Sequence, residues 1–224
     1  MQSLELILRE SARRHRHLCP RQVLGARMGI LAGEILKLEL PRTDKKLLVI
    51  AETDGCTVDG IIAATGCHVG GRTLRILDFG KVAATFIDTS SEEAIRIAPS
   101  RQSRSLALDY APLARTEWES MLLGYQVMPV EDLFCVQDVH LNMSLAEIMS
   151  KPGKKARCKI CKEEIINGRE VIQDGSILCR SCAGENYYQI LKTSAISIAS
   201  ARRLKTTNKS WFLFHTWDGK EYPR

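Results

Sequence analysis

The 224-residue sequence has no run of apolar residues near the roughly 18 that a membrane-crossing helix requires, so no span is expected. Its first residues, MQSLELILRESARRHRH, carry glutamates and no small-residue cleavage site, which argues against a secretory leader and makes a cytoplasmic location the expectation. Without an export signal there is no oxidising compartment to form disulfides, so the eight cysteines, at 19, 56, 67, 135, 158, 161, 179 and 182, are not read as a disulfide framework. The Cys-x2-Cys-x2-Cys run of a bacterial ferredoxin is absent, and so is any internal repeat or long low-complexity tract. What remains is a chain with ample aliphatic content for a core and a length that suggests one full domain plus a small one.

Charge divides the chain unevenly. Residues 1–150 carry 17 Lys/Arg against 19 Asp/Glu, a net of −2, whereas residues 151–224 carry 15 against 7, a net of +8. The basic character therefore bears on partners of the last third alone.

Hydrophobic periodicity orders the first two thirds. After Pro20, Leu24, Met28, Leu31, Ile35 and Leu38 recur at the helical period, with Cys19 at or beside the N-cap and Pro20 in the first turn. Gly25, Gly29 and Gly33 mark another face of that helix. Each costs about 1 kcal/mol relative to Ala, so a close neighbour is expected there. KLLVIAET (46–53) reads as a buried strand, and TDGCTVDGIIAATG turns into a short helix beginning near Cys56. TLRILDFG, KVAATFIDT and EAIRIAP read as an antiparallel meander, TEWESMLLGYQ (116–126) as a helix and DLFCVQDVHL (132–141) as a strand. Cys135, in that last run, is expected as a small core residue. The order implies an α+β fold, an antiparallel sheet with flanking helices, plus a small C-terminal zinc ribbon. Ser144 and Glu147 suggest a capping box for a brief helix before the linker SKPGKKA. The expected domains are a core over 1–143, a short helix and linker over 144–156, a ribbon over 157–187 and a basic, aromatic tail over 188–224.

CKIC (158–161) and CRSC (179–182) enclose 17 residues. Zinc takes four soft ligands at tetrahedral corners, and each Cys-x-x-Cys turn offers two thiolates on one side of the ion. Asn167-Gly168 and Asp174-Gly175 supply the tight turns that run the chain out and back. Four protein ligands, Cys158, Cys161, Cys179 and Cys182, leave no room for substrate, so this zinc site is structural. Lys151, Lys154, Lys155, Arg157, Lys159 and Lys162 crowd its approach. They read either as phosphate contacts for a nucleic acid or, lacking interleaved aromatics, as a solvated face. Trp211, Phe212, Phe214 and Trp217 in the tail fit a basic aromatic surface and a packed strand equally.

HRHLCP (15–20) holds the second constellation. A thiol at a helix N-terminus is favoured as thiolate, a nearby imidazole can share its metal, and Cys56 also lies at a helix start. His17, Cys19 and Cys56 together would be three ligands, the number that leaves one coordination position open. On spacing alone, packed thiols and an exposed histidine account for them as well. Asp54 and Asp59 could orient a ligand or simply complement the helix dipole.

HRHLCPRQVLGARMG, ETDGCTVDGIIAATGCHVG and LDFGKVAATFID, in that order, resemble the FmdE family of formylmethanofuran dehydrogenase components over residues 10–140, and the family also carries a zinc-ribbon appendage. The resemblance implies an α+β core, a dimeric habit and a metal-binding active-site cavity. It implies His17, Cys19 and Cys56 as metal-linked residues, with Asp59, Cys67 and Lys81 lining the same cavity and Cys19, Cys56, Asp59 and Lys81 as its catalytic candidates. The core metal would be zinc or iron, beside copper on ligand type alone. Arg16, Arg21 and His68 depart from the family pattern; the arginines would admit an anionic ligand or face solvent, and His68 would add a ligand or sit at the surface. The implied role is an accessory or stand-alone protein of one-carbon or formyl redox metabolism, homodimeric or attached to a larger molybdenum or tungsten oxidoreductase. The competing reading is a zinc-ribbon nucleic-acid-binding or regulatory protein without catalysis.

Overall fold

A computed structural model describes residues 2–15, 17–149, 151 and 153–191. Arg16 and the aromatic tail with Trp211, Phe212, Phe214 and Trp217 lie outside them. The chain divides into two compact units, Met1–Pro152 and Gly153–Arg224.

The first unit is an α+β domain built on a five-stranded sheet of order β2-β1-β3-β4-β5. The strands are β1 (Leu47–Ala51), β2 (Leu74–Ile76), β3 (Ala84–Asp88), β4 (Ala94–Pro99) and β5 (Phe134–Asp138). One face carries Val49, Phe86, Ile95 and Ile97, all at most 1% exposed, against helices α1 (Leu4–His15), α2 (Pro20–Ile35) and α3 (Thr57–Thr65). On the other face, Leu48, Ile50, Ile87 and Ala94 are covered by Val139, Leu141, Leu145 and Ile148 of the segment after β5. That segment is held by a hydrogen bond from Arg75 Nη2 to the Ile148 carbonyl at 3.0 Å. Coverage on both faces is why β1 reads as an unbroken apolar run rather than an alternating one.

The expected three-strand meander is corrected at its first member. β2 pairs with β1 in parallel, Val49 opposite Leu74, and is not a neighbour of β3 in the sheet. α3 connects the two strands, so the chain re-enters the sheet in the direction it left. It then crosses the end of β1, where Phe79 and Lys81 donate their N–H groups to the Glu52 carbonyl, and descends on the far side as β3. β3, β4 and β5 do pair antiparallel.

Other expectations shift in detail. α1 forms where no element was expected. In α2, Leu24, Met28 and Leu31 are buried as the stripe requires, but Ile35 is 37% exposed and Leu36 takes its place in the core. α5 (Glu117–Val127) starts at Thr116, whose side chain accepts from the Glu119 N–H. The run 132–141 opens with a short helix, α6 (Val130–Leu133), before β5, and Cys135 on that edge strand is exposed rather than core. Ser144 does cap α7 (Leu145–Ile148), but through its carbonyl and not its side chain.

On the outer face Glu52 is 8% exposed and pairs bidentately with Arg96, at 2.6 and 2.9 Å, while Arg96 also donates to Gln137. Hydrogen bonds from Arg96 hold the Glu52 carboxyl below its ordinary range, against burial, and the charges of Arg96 and Lys81 add to the effect. A depressed carboxyl contributes stability that is complete above the unfolded-state value, about 4.3, and is lost as pH falls through the folded one. Glu52→Gln should therefore cost about 1–2 kcal/mol at pH 7, the lower part of the range for hydrogen bonds to charged groups because Arg96 is a quarter exposed. At acid pH, below the depressed range of the folded carboxyl, the variant should match the wild type. Urea unfolding at the two pH values measures the difference, and an equal loss at both would disprove the assignment.

Candidate metal and ligand sites

Two helix starts meet in the core unit. Gly25 of α2 and Gly60 of α3 put backbone against backbone: a Cβ on Gly25 would lie 2.0 Å from the Thr57 carbonyl oxygen, and one on Gly60 would lie 2.1 Å from that of Gln22. This is the close neighbour that the glycine repeat required. It brings Cys19, the N-cap of α2, to Cys56, the N-cap of α3, within side-chain hydrogen-bonding reach. Cys19 is buried and Cys56 half-buried. Burial pushes the Cys19 thiol up and proximity to Cys56 pushes it further, while backbone N–H groups of Gln22 and Arg21 pull the other way. The helix start therefore does not win: desolvation outweighs the dipole at Cys19.

A buried glutamine locks this corner. Gln22, 0% exposed, accepts the Cys19 N–H through Oε1 at 2.8 Å and donates through Nε2 to the carbonyl and hydroxyl of Ser11 at 3.1 and 2.9 Å. α1 is thereby tied to the first turn of α2. Cys19-x-x-Gln22 is a capping-box spacing, so the signal was present in the sequence. One residue past Cys56, Thr57 Oγ1 is a buried side-chain oxygen with no hydrogen-bond partner. A buried polar atom left unpaired in a packed fold calls for a cause such as an ion, water or ligand nearby.

Cys19 and Cys56 open onto a cavity of about 580 Å3. Arg21 and Leu24 of α2 line it, and opposite stand Ser103 and Arg104 of α4 (Ser103–Leu106) and Trp118 and Tyr125 of α5. That far wall carries no sequence motif; it is assembled by long-range packing. The other expected members lie elsewhere. Cys67 is buried beneath the sheet edge, its thiol donating to the Leu47 carbonyl at 3.5 Å, and burial raises its pKa. Lys81 is exposed on the bend before β3, and Asp59 is half-buried in the first turn of α3; neither lines the cavity. His17 is exposed on the turn between α1 and α2. His68 lies at the surface, its Nδ1 3.1 Å from the Gly66 carbonyl.

Among the described residues, one group of three or more metal-ligating side chains converges with all ligand atoms within 4.8 Å of one another: Cys158, Cys161, Cys179 and Cys182. His17 is not gathered with Cys19 and Cys56 to that standard. The second unit is built around the quartet. The first knuckle turns the hairpin of β6 (Lys155–Arg157) and β7 (Glu164–Ile166), and Asp174-Gly175, both at positive φ, turn the hairpin of β8 (Val171–Gln173) and β9 (Ser176–Leu178). Asn167-Gly168, also at positive φ, links one hairpin to the other. Cys161 and Cys179 sulfurs are 3.8 Å apart, about the edge of a tetrahedron with 2.3 Å metal–sulfur bonds. Against its burial, backbone N–H groups of Cys179, Cys161 and Ile160 draw the Cys158 thiol down to about 6. The Cys179 thiol, then burial, drive Cys182 up to about 12. Four sulfurs gathered this closely offer one ligand atom each to a single cation, so the residues fit an ion held by four thiolates. Of the basic residues nearby, Lys155 pairs with Glu164, Lys159 with Ser176, and Arg157 and Lys162 with ribbon carbonyls.

Residues 14–134 match the family model described as FmdE, Molybdenum formylmethanofuran dehydrogenase operon. A protein of Archaeoglobus fulgidus described as "Probable S-adenosyl-L-methionine-binding protein" is 29% identical over 201 residues, 79% of this chain and 52% of its own length. The chain thus spans about half of that relative. Among solved structures, a tungsten formylmethanofuran dehydrogenase FmdE-like protein from Syntrophus aciditrophicus is similar with a TM-score of 0.56 and 23% identity, over 84% of this chain and 96% of that one. At that identity the shared property is the fold. Among the described residues no helix is long and apolar enough to cross a membrane.

Proposed function

The chain belongs to the FmdE family, and from that premise we propose a two-metal protein: a structural zinc in the ribbon and a second ion, zinc or iron, at the cavity of the core. The observation that carries the reading is the meeting of the Cys19 and Cys56 thiols on the wall of a ligand-sized cavity. Those two thiols would hold the core ion, and His17, two positions ahead of Cys19, would supply the third ligand. Three protein ligands leave a coordination position open, from which a bound metal polarises a carbonyl or activates water. The chain's own contribution is positional. Gln22 fixes the backbone at Cys19, and the contacts of Gly25 with the Thr57 backbone and of Gly60 with the Gln22 backbone set the spacing of the two helix starts.

The role that fits is an accessory or stand-alone protein of one-carbon or formyl redox metabolism in the cytoplasm, as a homodimer or docked on a larger oxidoreductase. Metal counting by mass spectrometry tests the chemical part. The wild type should hold about two ions per chain and the Cys19→Ser/Cys56→Ser variant about one, one ion for each thiolate site. An unchanged count in the folded variant rules out the core site and leaves the ribbon untouched.

A further inference from the structure

We infer that the core cavity is a receptor for an organic anion, a carboxylate or phosphoryl group carried on an apolar, planar body, with Arg21 as its charge anchor. The inference rests on the cavity being the functional site and names the class of molecule that enters it.

The charge at the cavity is one-sided. Arg21 and Arg104 line it, and no carboxylate does. The two arginines differ in availability. Arg104 is paired with Glu117, Nε to Oε1 at 2.6 Å, so a counter-charge already stands beside its guanidinium. Arg21 has no such counter-ion: among the described residues its side chain makes no hydrogen bond and no ion pair. It stands in the first turn of a 16-residue helix, at the positive end of that helix's dipole. A lone guanidinium at the mouth of a cavity is matched by one monoanionic group taken in the forked geometry that carboxylates and phosphoryl oxygens share.

The remaining wall sets the body of the ligand. Leu24 and Tyr125 are buried, and Trp118 is 49% exposed at the opening. A long aromatic edge presented to a cavity of 580 Å3 suits a flat ring system better than a chain of hydroxyls. The two serine hydroxyls are already in use, Ser100 to the Asp132 carbonyl and Ser103 to the Ser100 carbonyl, so neither serine has a donor left for a polyol. An anion bound at Arg21 would lay its body along this wall toward the two thiols. The thiols supply the chemistry and the arginine supplies the selection.

The test uses the full chain and two dyes of similar shape, anilinonaphthalene sulfonate, which is anionic, and N-phenylnaphthylamine, which is neutral. Fluorescence titration should show Arg21→Ala weakening the anionic dye about tenfold, with the neutral dye changed less than about twofold. Arg21→Lys should recover most of the loss, and Trp118→Ala should weaken both dyes. Benzoate and phenyl phosphate, as competitors of the anionic dye, then rank the two head groups. Equal affinity of the anionic dye for wild type and Arg21→Ala overturns the inference; so does an equal fall of both dyes, or competition by neither anion. Metal counts on the same samples separate the two proposals. A missing core ion with Arg21-dependent dye binding removes only the metal reading, and two ions with Arg21-independent binding remove only this one.

Discussion

Stripping metal from the protein with a strong chelator is expected to unfold residues 153–191 while the α+β unit stays folded. Among its described residues the second unit has almost nothing else to hold it. The four strands there are three residues each, and the buried cluster is Cys158, Ile165 and Leu178. Two buried aliphatic side chains make a very small core, and a structural zinc contributes on the order of 10 kcal/mol to folding where it binds. Hydrogen exchange reads the outcome directly. The Cys158 N–H to Glu163 and Lys159 N–H to Ile177 hydrogen bonds, protected in the metal-loaded protein, should exchange at unfolded rates after chelation, and Cys158→Ala should behave alike without chelator. The β1–β3 ladder should keep its protection in both cases, because its core is a separate cluster. Surviving ribbon protection at one equivalent of metal lost would mean the quartet is not what organises it.

The contrast between the two units explains what could be read from sequence. The ribbon was fully legible: its ligands are close in sequence, its turns need Asp-Gly and Asn-Gly chemistry, and each knuckle is local. The glycine repeat of α2 announced a close approach but could not name the partner, because the partner of Gly25 is the backbone of Thr57 and Ile61, distant in sequence on a helix of only nine residues. Strand pairing was harder. β2 has the composition of a meander strand, and nothing within it distinguishes a parallel partner; the helix between β1 and β2 does, through the direction in which it returns the chain. Cys67 and Lys81 follow Cys56 closely along the chain, yet the fold sends one under the sheet edge and the other to solvent. The far wall of the cavity, Arg104, Trp118 and Tyr125, was invisible because its residues come from segments 80 or more positions from Cys19. Tertiary packing places them; their own stretches carry only helix signals.

Gly25→Ala and Gly60→Ala should be the most damaging single substitutions in the core unit, and the damage should reach the thiol pair. At either position a methyl group falls about 2 Å from a carbonyl oxygen of the opposing helix, and Gly60 would also bring it 2.6 Å from the Ala26 nitrogen. Backbone cannot swing aside as a side-chain tip can, so the helices must separate along their contact. Overpacking of this kind costs about 3 kcal/mol, a fall of roughly 10 °C in the melting temperature for a unit of this size, and the gain in helix propensity returns only about 1 kcal/mol of it. Gly33→Ala is the milder comparison: its nearest neighbour is the Leu40 Cδ1 atom at 2.9 Å, a flexible tip that can yield, and the nearest backbone atom, the Leu38 carbonyl oxygen, stands at 3.1 Å, so its effect should be smaller. Because Cys19 and Cys56 cap these same two helices, a separation that lowers stability also draws the sulfurs apart. The metal count of Gly25→Ala should therefore fall toward one per chain below its melting temperature, while Gly33→Ala keeps two. A Gly25→Ala protein that melts early but still binds both ions would show that the helix contact supports the fold without setting the site.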